Sequence, residues 1–195
     1  MKDALIRFLK SFELLTPDEI NIIADHTNLK TFPKGTILLE EGDISKECYS
    51  VIQGCVREYY IVDGIEKTTA FFTEGQPVNS FTSGINGTAA KHYLECVEES
   101  ILTVSDQQLE QEMCQRIPRL ELIIRQEVER NNGLLQDQLA AYITSSPEQR
   151  FIKLLEEKPG LIGRVPQHQI ASYLGVTPES LSRIKKRVFS KERSL

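Results

Sequence analysis

QHQIASYLGVTPESLSRI, Gln167–Ile184, decides how the rest of the chain is read. Ile170, Leu174, Val176, Leu181 and Ile184 are apolar at spacings that place them on the inner faces of two crossing helices. Ala171 is small where two such helices approach most closely. Gly175 falls at the turn, where the backbone needs a left-handed conformation that only a residue without Cβ adopts freely. Thr177 offers an N-cap hydroxyl, and Pro178 suits the first helical turn, where its missing N–H is not needed. The pattern predicts a helix-turn-helix whose second helix runs from about Pro178 to Val188. The bland alternative is a helical hairpin with a solvated basic face.

The outward face of that second helix carries Glu179, Ser180, Ser182, Arg183, Lys186 and Arg187. In a DNA-binding helix-turn-helix the second helix lies in the major groove, with its N-terminal residues against base edges. Arg183 suits a bidentate bond to guanine, and Glu179 accepts from cytosine N4. Lys185, Lys186, Arg187 and Lys191 suit phosphates. Gln167, at the start of the first helix, completes the candidate DNA-contacting set with Thr177, Glu179, Ser180, Arg183, Lys186 and Arg187.

Charge agrees with this assignment. From Arg164 to the last residue, seven Lys and Arg face two acids, net +5, whereas the whole chain is net −5. The first 163 residues are therefore net −10. A basic end on an acidic body is the electrostatic footprint of a nucleic-acid module joined to something else, and the acidic body keeps DNA at one end.

A chain of 195 residues with 40% hydrophobic residues suits one large or two small domains and can bury a core. Cys48, Cys55, Cys96 and Cys114 are widely spaced with no C-x-x-C pair, so no zinc or iron–sulfur ligand set is expected. Asp3, Arg7 and Lys10 interrupt any leader-like apolar run, and no stretch has the roughly 18 apolar residues of a membrane span. A cytoplasmic protein with reduced thiols, no resident metal and no membrane partner is expected.

Upstream, Leu5, Phe8, Leu9 and Phe12 recur at helical spacing. Thr16-Pro17-Asp18-Glu19 is a capping box that opens a second short helix. From Asn28 onward, short runs rich in Val, Ile, Thr, Tyr and Phe alternate with Gly and Asp turns at intervals of about 8–12 residues, the signature of a sandwich or barrel. Asp63-Gly64 marks a type I′ hairpin turn. After a last strand at Ile101–Ser105, Pro118 opens a long helix to about Ile143. Its stripe of Leu120, Ile124, Val128 and Leu135 needs a partner, either a second copy of itself or its own β domain; Asn131 and Gly133 interrupt it. Ser145–Pro147 marks a hinge. A further helix contains Phe151, Leu154 and Leu155. Leu161–Val165 is expected to be a short strand.

This order resembles the Crp/Fnr superfamily of bacterial transcription regulators over nearly the whole chain. KGTILLEEGD (Lys34–Asp43), YSVIQGCVREYY (Tyr49–Tyr60) and IASYLGVTPESLSRIKKR (Ile170–Arg187) carry the resemblance. It implies an α+β fold with three parts. An N-terminal double-stranded β-helix, jelly-roll-like, forms an effector domain over residues 1–115. A dimerisation helix covers 116–144. A helix-turn-helix DNA-binding domain, winged-helix-like with a reduced wing, covers 145–195. It further implies a homodimer on a two-fold symmetric double-stranded DNA operator, with half-sites about 34 Å apart, and RNA polymerase as a further partner.

Departures from the family pattern bear on the effector. Cyclic-nucleotide-binding members use a Gly-Glu pair and an Arg-Ser or Arg-Thr pair. The matching segment here is Glu74–Glu95, with Asn79-Ser80 and Ala89-Ala90 in those places, and no Arg between Arg57 and Arg116. Without a guanidinium, a cyclic phosphate loses its bidentate charge-assisted contact; Lys91 or His92 replaces it only as a point charge. The candidate effector pocket is therefore Asn79, Ser80, Ala89, Ala90 and Lys91, with an effector other than cyclic AMP, or none. Three alternatives stay open: a cyclic-nucleotide-responsive regulator, a metal enzyme on a β-roll, and a signalling protein whose helix-turn-helix binds protein. The three widely separated histidines weigh against the enzyme.

Overall fold

In the computed structural model, Met1–Glu192 are described, apart from the side chains of Phe81, Ile85, Lys191 and Glu192. Two short helices come first, α1 (Lys2–Leu9) and α2 (Pro17–His26). The capping box at Thr16 is formed: the Glu19 amide donates to the Thr16 hydroxyl and the Thr16 amide to the Glu19 carboxylate. Eight strands follow: β1 (Asn28–Phe32), β2 (Ile37–Leu39), β3 (Cys48–Gln53), β4 (Val56–Val62), β5 (Ile65–Phe72), β6 (Pro77–Val78), β7 (Tyr93–Cys96) and β8 (Ser100–Ser105), with helix α3 (Phe81–Asn86) between β6 and β7.

The strands form two four-stranded sheets, ordered β1-β8-β3-β6 and β2-β7-β4-β5, the jelly-roll arrangement. Alternation along β8 shows why: Ser100, Leu102 and Val104 are buried while Ile101, Thr103 and Ser105 are half-buried, a period of two that gives each strand one core face. Val51, Val56, Val78, Leu94, Cys96 and Leu102 meet between the sheets. Each fully buried Val or Leu there contributes roughly 1.5–3 kcal/mol relative to exposure. Asp63 and Gly64 both have positive φ, 53° and 73°, as a type I′ turn requires. Gly54 has φ 108° and lies against Ser100, where a Cβ would come within 2.7 Å of the Ser100 Cα.

Helix α4 (Gln107–Arg116), capped by the Asp106 carboxylate, precedes the 26-residue α5 (Arg119–Thr144). Ile117 and Ile123 join Leu5, Leu9, Leu15, Ile20 and Ile23 in a second core cluster, which also takes in Ile52 of β3. Leu120, one of the expected dimer-stripe residues, packs against this cluster, and Ile124 is half-buried. The C-terminal helices are α6 (Pro147–Glu157), α7 (Leu161–Arg164), α8 (Gln167–Tyr173) and α9 (Pro178–Glu192).

Three local expectations are corrected. Leu161–Arg164 is helical rather than a strand, with Val165 its extended C-cap; Leu161 and Val165 are both buried at i,i+4, a spacing that strand and helix periods share. Helix α9 continues past Val188, where no Gly or Pro stops it and Phe189 packs edge-on against Phe151 at 6.2 Å. Helices α3 and α4 occupy stretches for which no helix was expected. No strand occurs among the described residues after Ser105.

The chain divides into two compact units. One comprises Met1–Tyr59 and Phe71–Glu129. The other comprises the hairpin segment Tyr60–Ala70 and the chain from Arg130 onward, so the division falls within α5.

Candidate nucleic-acid interface and effector pocket

Phe151, Leu154, Leu161, Ile170, Ala171, Leu174, Leu181, Ile184 and Val188 are buried together in the C-terminal helices, and this inner face sets which residues point outward. Gly175 has φ 69°, and its amide and that of Val176 donate back to the Ser172 and Ala171 carbonyls, closing the turn between α8 and α9. The Ser180 amide donates to the Thr177 hydroxyl at 3.3 Å, and that hydroxyl donates to Ser180 Oγ at 3.2 Å. Thr177 and Ser180 are thus occupied in capping α9 and fix where it begins.

Pro178, Glu179, Ser182, Arg183 and Lys186 line one shallow concavity on the solvent face of α9. The Glu179 carboxyl is held below its usual range, first by a backbone hydrogen bond of its own residue, then by the Thr177 hydroxyl and the nearby Arg183 charge. Glu179 therefore stays ionised and faces the same way as Arg183, one turn on. Gln167 is exposed at the first position of α8. Arg187 differs from the others: its Nε donates to Glu148 of α6 at 2.8 Å, so its charge is partly neutralised within the protein. Lys185 is half-buried. The side chain of Lys191, and Arg193 altogether, lie outside the described residues.

The expected effector residues are spread over two stretches with different roles. Ser80 is buried at the start of α3, and its Oγ and Asn79 Oδ1 are buried without a hydrogen-bond partner. Ala90 lies in the core, its amide and carbonyl paired with the Asp43 carbonyl and the Gly42 amide. Ala89 and Lys91 are exposed. Of these three positions only Lys91 carries a charge, and it is exposed.

Two groups stand inside the roll: Glu58, which the sequence did not single out, and His92, which it offered only as a point charge. Glu58 pairs in register with Leu94 and alternates with Val56, both of the inner core, which turns it inward. His92 is buried with Nε2 3.7 Å from the Glu58 carboxylate. Alternation through VREYYIV, with Val56 inward, was the available signal for Glu58. Arg57 points the other way. It is 2% exposed, forms an ion pair with Glu95, and lies 4.1 Å from the centroid of the Tyr59 ring, which stacks on Tyr93. The guanidinium nearest the pocket in sequence is therefore committed elsewhere.

Among the described residues, no group of three His, Cys, Asp or Glu side chains is placed to hold a metal, and no helix is long and apolar enough to cross a membrane. All four cysteines are free thiols; burial pushes Cys96 up to about 11.

Comparison with known proteins shows what the chain is similar to. Residues 29–116 match the family model described as the cyclic nucleotide-binding domain. The nitrogen fixation regulation protein FixK of Rhizobium meliloti (strain 1021) is 27% identical over 171 residues, covering 85% of this chain and 76% of that protein. The structure of FixK2 from Bradyrhizobium japonicum superposes with a TM-score of 0.71 at 16% identity, over 85% of this chain and 86% of that one. A CooA mutant from Carboxydothermus hydrogenoformans superposes with a TM-score of 0.68 at 15% identity, over 94% of this chain and 83% of that one.

Proposed function

We propose that this chain, whose residues 29–116 match the cyclic nucleotide-binding domain, is a dimeric, sequence-specific DNA-binding transcription regulator of the Crp/Fnr type whose effector is not a cyclic nucleotide. The observation that carries the DNA-binding half is the solvent face of α9. Glu179, Ser182, Arg183 and Lys186 stand on one open surface, over a fully buried inner face, on the second helix of a helix-turn-helix. Arg183 and Glu179 read bases, and Lys186 holds phosphate. Thr177 and Ser180 act by fixing the start of the helix. Gln167 adds a backbone contact from α8, and Arg187 contributes less, being shared with Glu148.

Helix α5 supports the dimer. Val128, Leu134, Leu135, Leu139, Tyr142 and Ile143 are all between 46% and 73% exposed on one helix. Val128, Leu135 and Tyr142 recur every seven residues, the seam of a two-stranded coil. Such a row is costly in water and is satisfied by a second copy of the same helix, which also supplies the second recognition helix for a symmetric operator. Val128 and Leu135 belong to this seam. Leu120 belongs to the N-terminal packing, and Ile124 is half-buried beside it in sequence.

Inside the roll, the chemistry opposes a cyclic phosphate. The inward ionisable pair is Glu58 with His92, Arg57 is locked outward, and Ala89 and Ala90 bring no charge. An anionic ligand would meet a carboxylate in a low-dielectric interior without a guanidinium to offset it. Selection of duplexes from a random-sequence pool tests the proposal. A two-fold symmetric site with half-sites 10–10.5 base pairs apart is expected. Recovery of no consensus, or of an asymmetric single half-site, would refute the dimeric operator-binding reading.

A further inference from the structure

Ser145–Pro147 has the sequence of a swivel, but the geometry around it is that of a clamp. The last carbonyls of α5 have no partner within their own helix, as at any helix C-terminus. Arg150, one turn into α6, returns to them: its Nη1 donates to the Tyr142 carbonyl at 3.1 Å and the Ser145 carbonyl at 2.7 Å. Its Nη2 donates to the Leu174 carbonyl at 2.8 Å, at the C-cap of α8. The same guanidinium lies 4.6 Å from the centroid of the Tyr142 ring. One cation thus caps two helix C-termini, where the helix dipole favours positive charge, and its planar fork fixes three carbonyls relative to one another.

Neighbouring contacts extend the fixed region. Tyr142 Oη stands where a Cβ on Gly175 would be, 2.6 Å away. The Ser172 hydroxyl accepts from the Thr68 amide at 2.9 Å and donates to the Glu66 carbonyl at 3.0 Å. Strand β5 is an edge strand, so one serine hydroxyl meets both groups that a neighbouring strand would have engaged. All these residues belong to the second compact unit, whose C-terminal segment begins at Arg130, well upstream of Ser145. Near that boundary stand Asn131, Asn132 and Gly133, three poor helix formers in succession, with Gly roughly 1 kcal/mol less favourable than Ala. A Cβ on Gly133 would meet nothing within 4 Å, so no close packing there calls for a glycine.

We infer that Arg150 is a positioning residue for DNA reading: it fuses the end of α5, the α5–α6 connection and the helix-turn-helix turn into one rigid body, and the joint of the molecule lies upstream, at Asn131–Gly133. The effect on DNA rests on the proposed function; the rigid body does not. Hydrogen exchange of the full chain, read by mass spectrometry, tests the rigid body without DNA. Amides at 143–146 and 174–176 are expected to exchange about tenfold or more slowly than those at 131–134. Arg150→Met should accelerate both protected segments together by about tenfold and leave 48–58 unchanged, since three carbonyls lose their donors. Arg150→Lys should fall between, because an ammonium cannot span three carbonyls, and Gly133→Ala should slow exchange at 131–137. In parallel, Arg150→Met should reduce the preference for the selected duplex over a scrambled one, with part restored in Arg150→Lys. Wild-type exchange as fast at 143–146 as at 131–134 overturns the inference, as does acceleration of only one of the two segments in Arg150→Met. If Arg150→Met fails to fold, the wild-type profile and Gly133→Ala still decide. Wild-type protein without DNA affinity would sink the DNA-binding reading while leaving the exchange result to judge the rigid body.

Discussion

Replacing Gly175 by Ala attacks the helix-turn-helix at its turn, and its cost can be assembled from two terms. The backbone there has φ 69°, a left-handed conformation that costs an L-residue with Cβ roughly 1–2 kcal/mol. The new Cβ would stand 2.6 Å from Tyr142 Oη and 3.5 Å from its Cζ, so the ring must move. Tyr142 is 50% exposed and has room to swing, but the swing gives up its stacking with the Arg150 guanidinium, worth about 0.5–1 kcal/mol. The sum is about 1.5–3 kcal/mol. Urea unfolding followed by circular dichroism measures it, with Tyr142→Phe and the double variant completing a cycle. Removing the hydroxyl should recover about 1 kcal/mol of the loss and leave the backbone part, a coupling expected of residues in contact. A Gly175→Ala protein within about 0.5 kcal/mol of wild type would refute the reasoning, since a surface change without strain costs no more than that. Zero coupling to Tyr142→Phe would refute the contact.

Four other outcomes follow from the same geometry. Arg183→Ala should weaken binding to the selected duplex by about 1–3 kcal/mol and relax base preference at one position, whereas Arg187→Ala, already paired with Glu148, should cost less; fluorescence anisotropy ranks them. Gly54→Ala combines φ 108° with a Cβ 2.7 Å from the Ser100 backbone, which cannot swing aside, so the roll should lose more stability than the C-terminal unit does in Gly175→Ala. The Cys96 thiol, pushed up to about 11 chiefly by burial, stays protonated at pH 8, so a maleimide should label Cys48 and Cys114 before Cys55 and Cys96 in the native protein. The same raised value means that Cys96 contributes stability in full below its unfolded pKa, about 8.5, and loses it as pH rises toward 11; thermal melts between pH 8 and 11 should show a progressive decline, reduced in Cys96→Ser.

Much of this fold is carried by short-range signals, and they were legible. Thr16-Pro17-Asp18-Glu19 forms its capping box, Asp63-Gly64 its type I′ turn, and Gly175 with Thr177 the corner of the helix-turn-helix. What the sequence left open depends on partners distant in the chain. Leu161 and Val165 fit strand and helix equally, and only packing against the C-terminal core chooses helix. Arg187 presents itself as a phosphate ligand until Glu148, 39 residues away, is seen beside it. Arg150 carries no motif at all; its role arises because the ends of α5 and α8 converge on it. In the effector region the loss of Arg was plain, yet the inward turn of Glu58 follows only once Val56 is known to face the core. That inward carboxylate strengthens the argument against a cyclic phosphate more than the missing Arg does alone.

The measurement that bears most directly on the central claim is a fluorescence anisotropy titration on the selected duplex and a scrambled control, across a salt series, with and without cyclic AMP. Specific binding on the order of 10³-fold or more above the control is expected, falling steeply with salt and unchanged by cyclic AMP. Equal affinity for the two duplexes, or a clear rise in affinity with cyclic AMP, would contradict it.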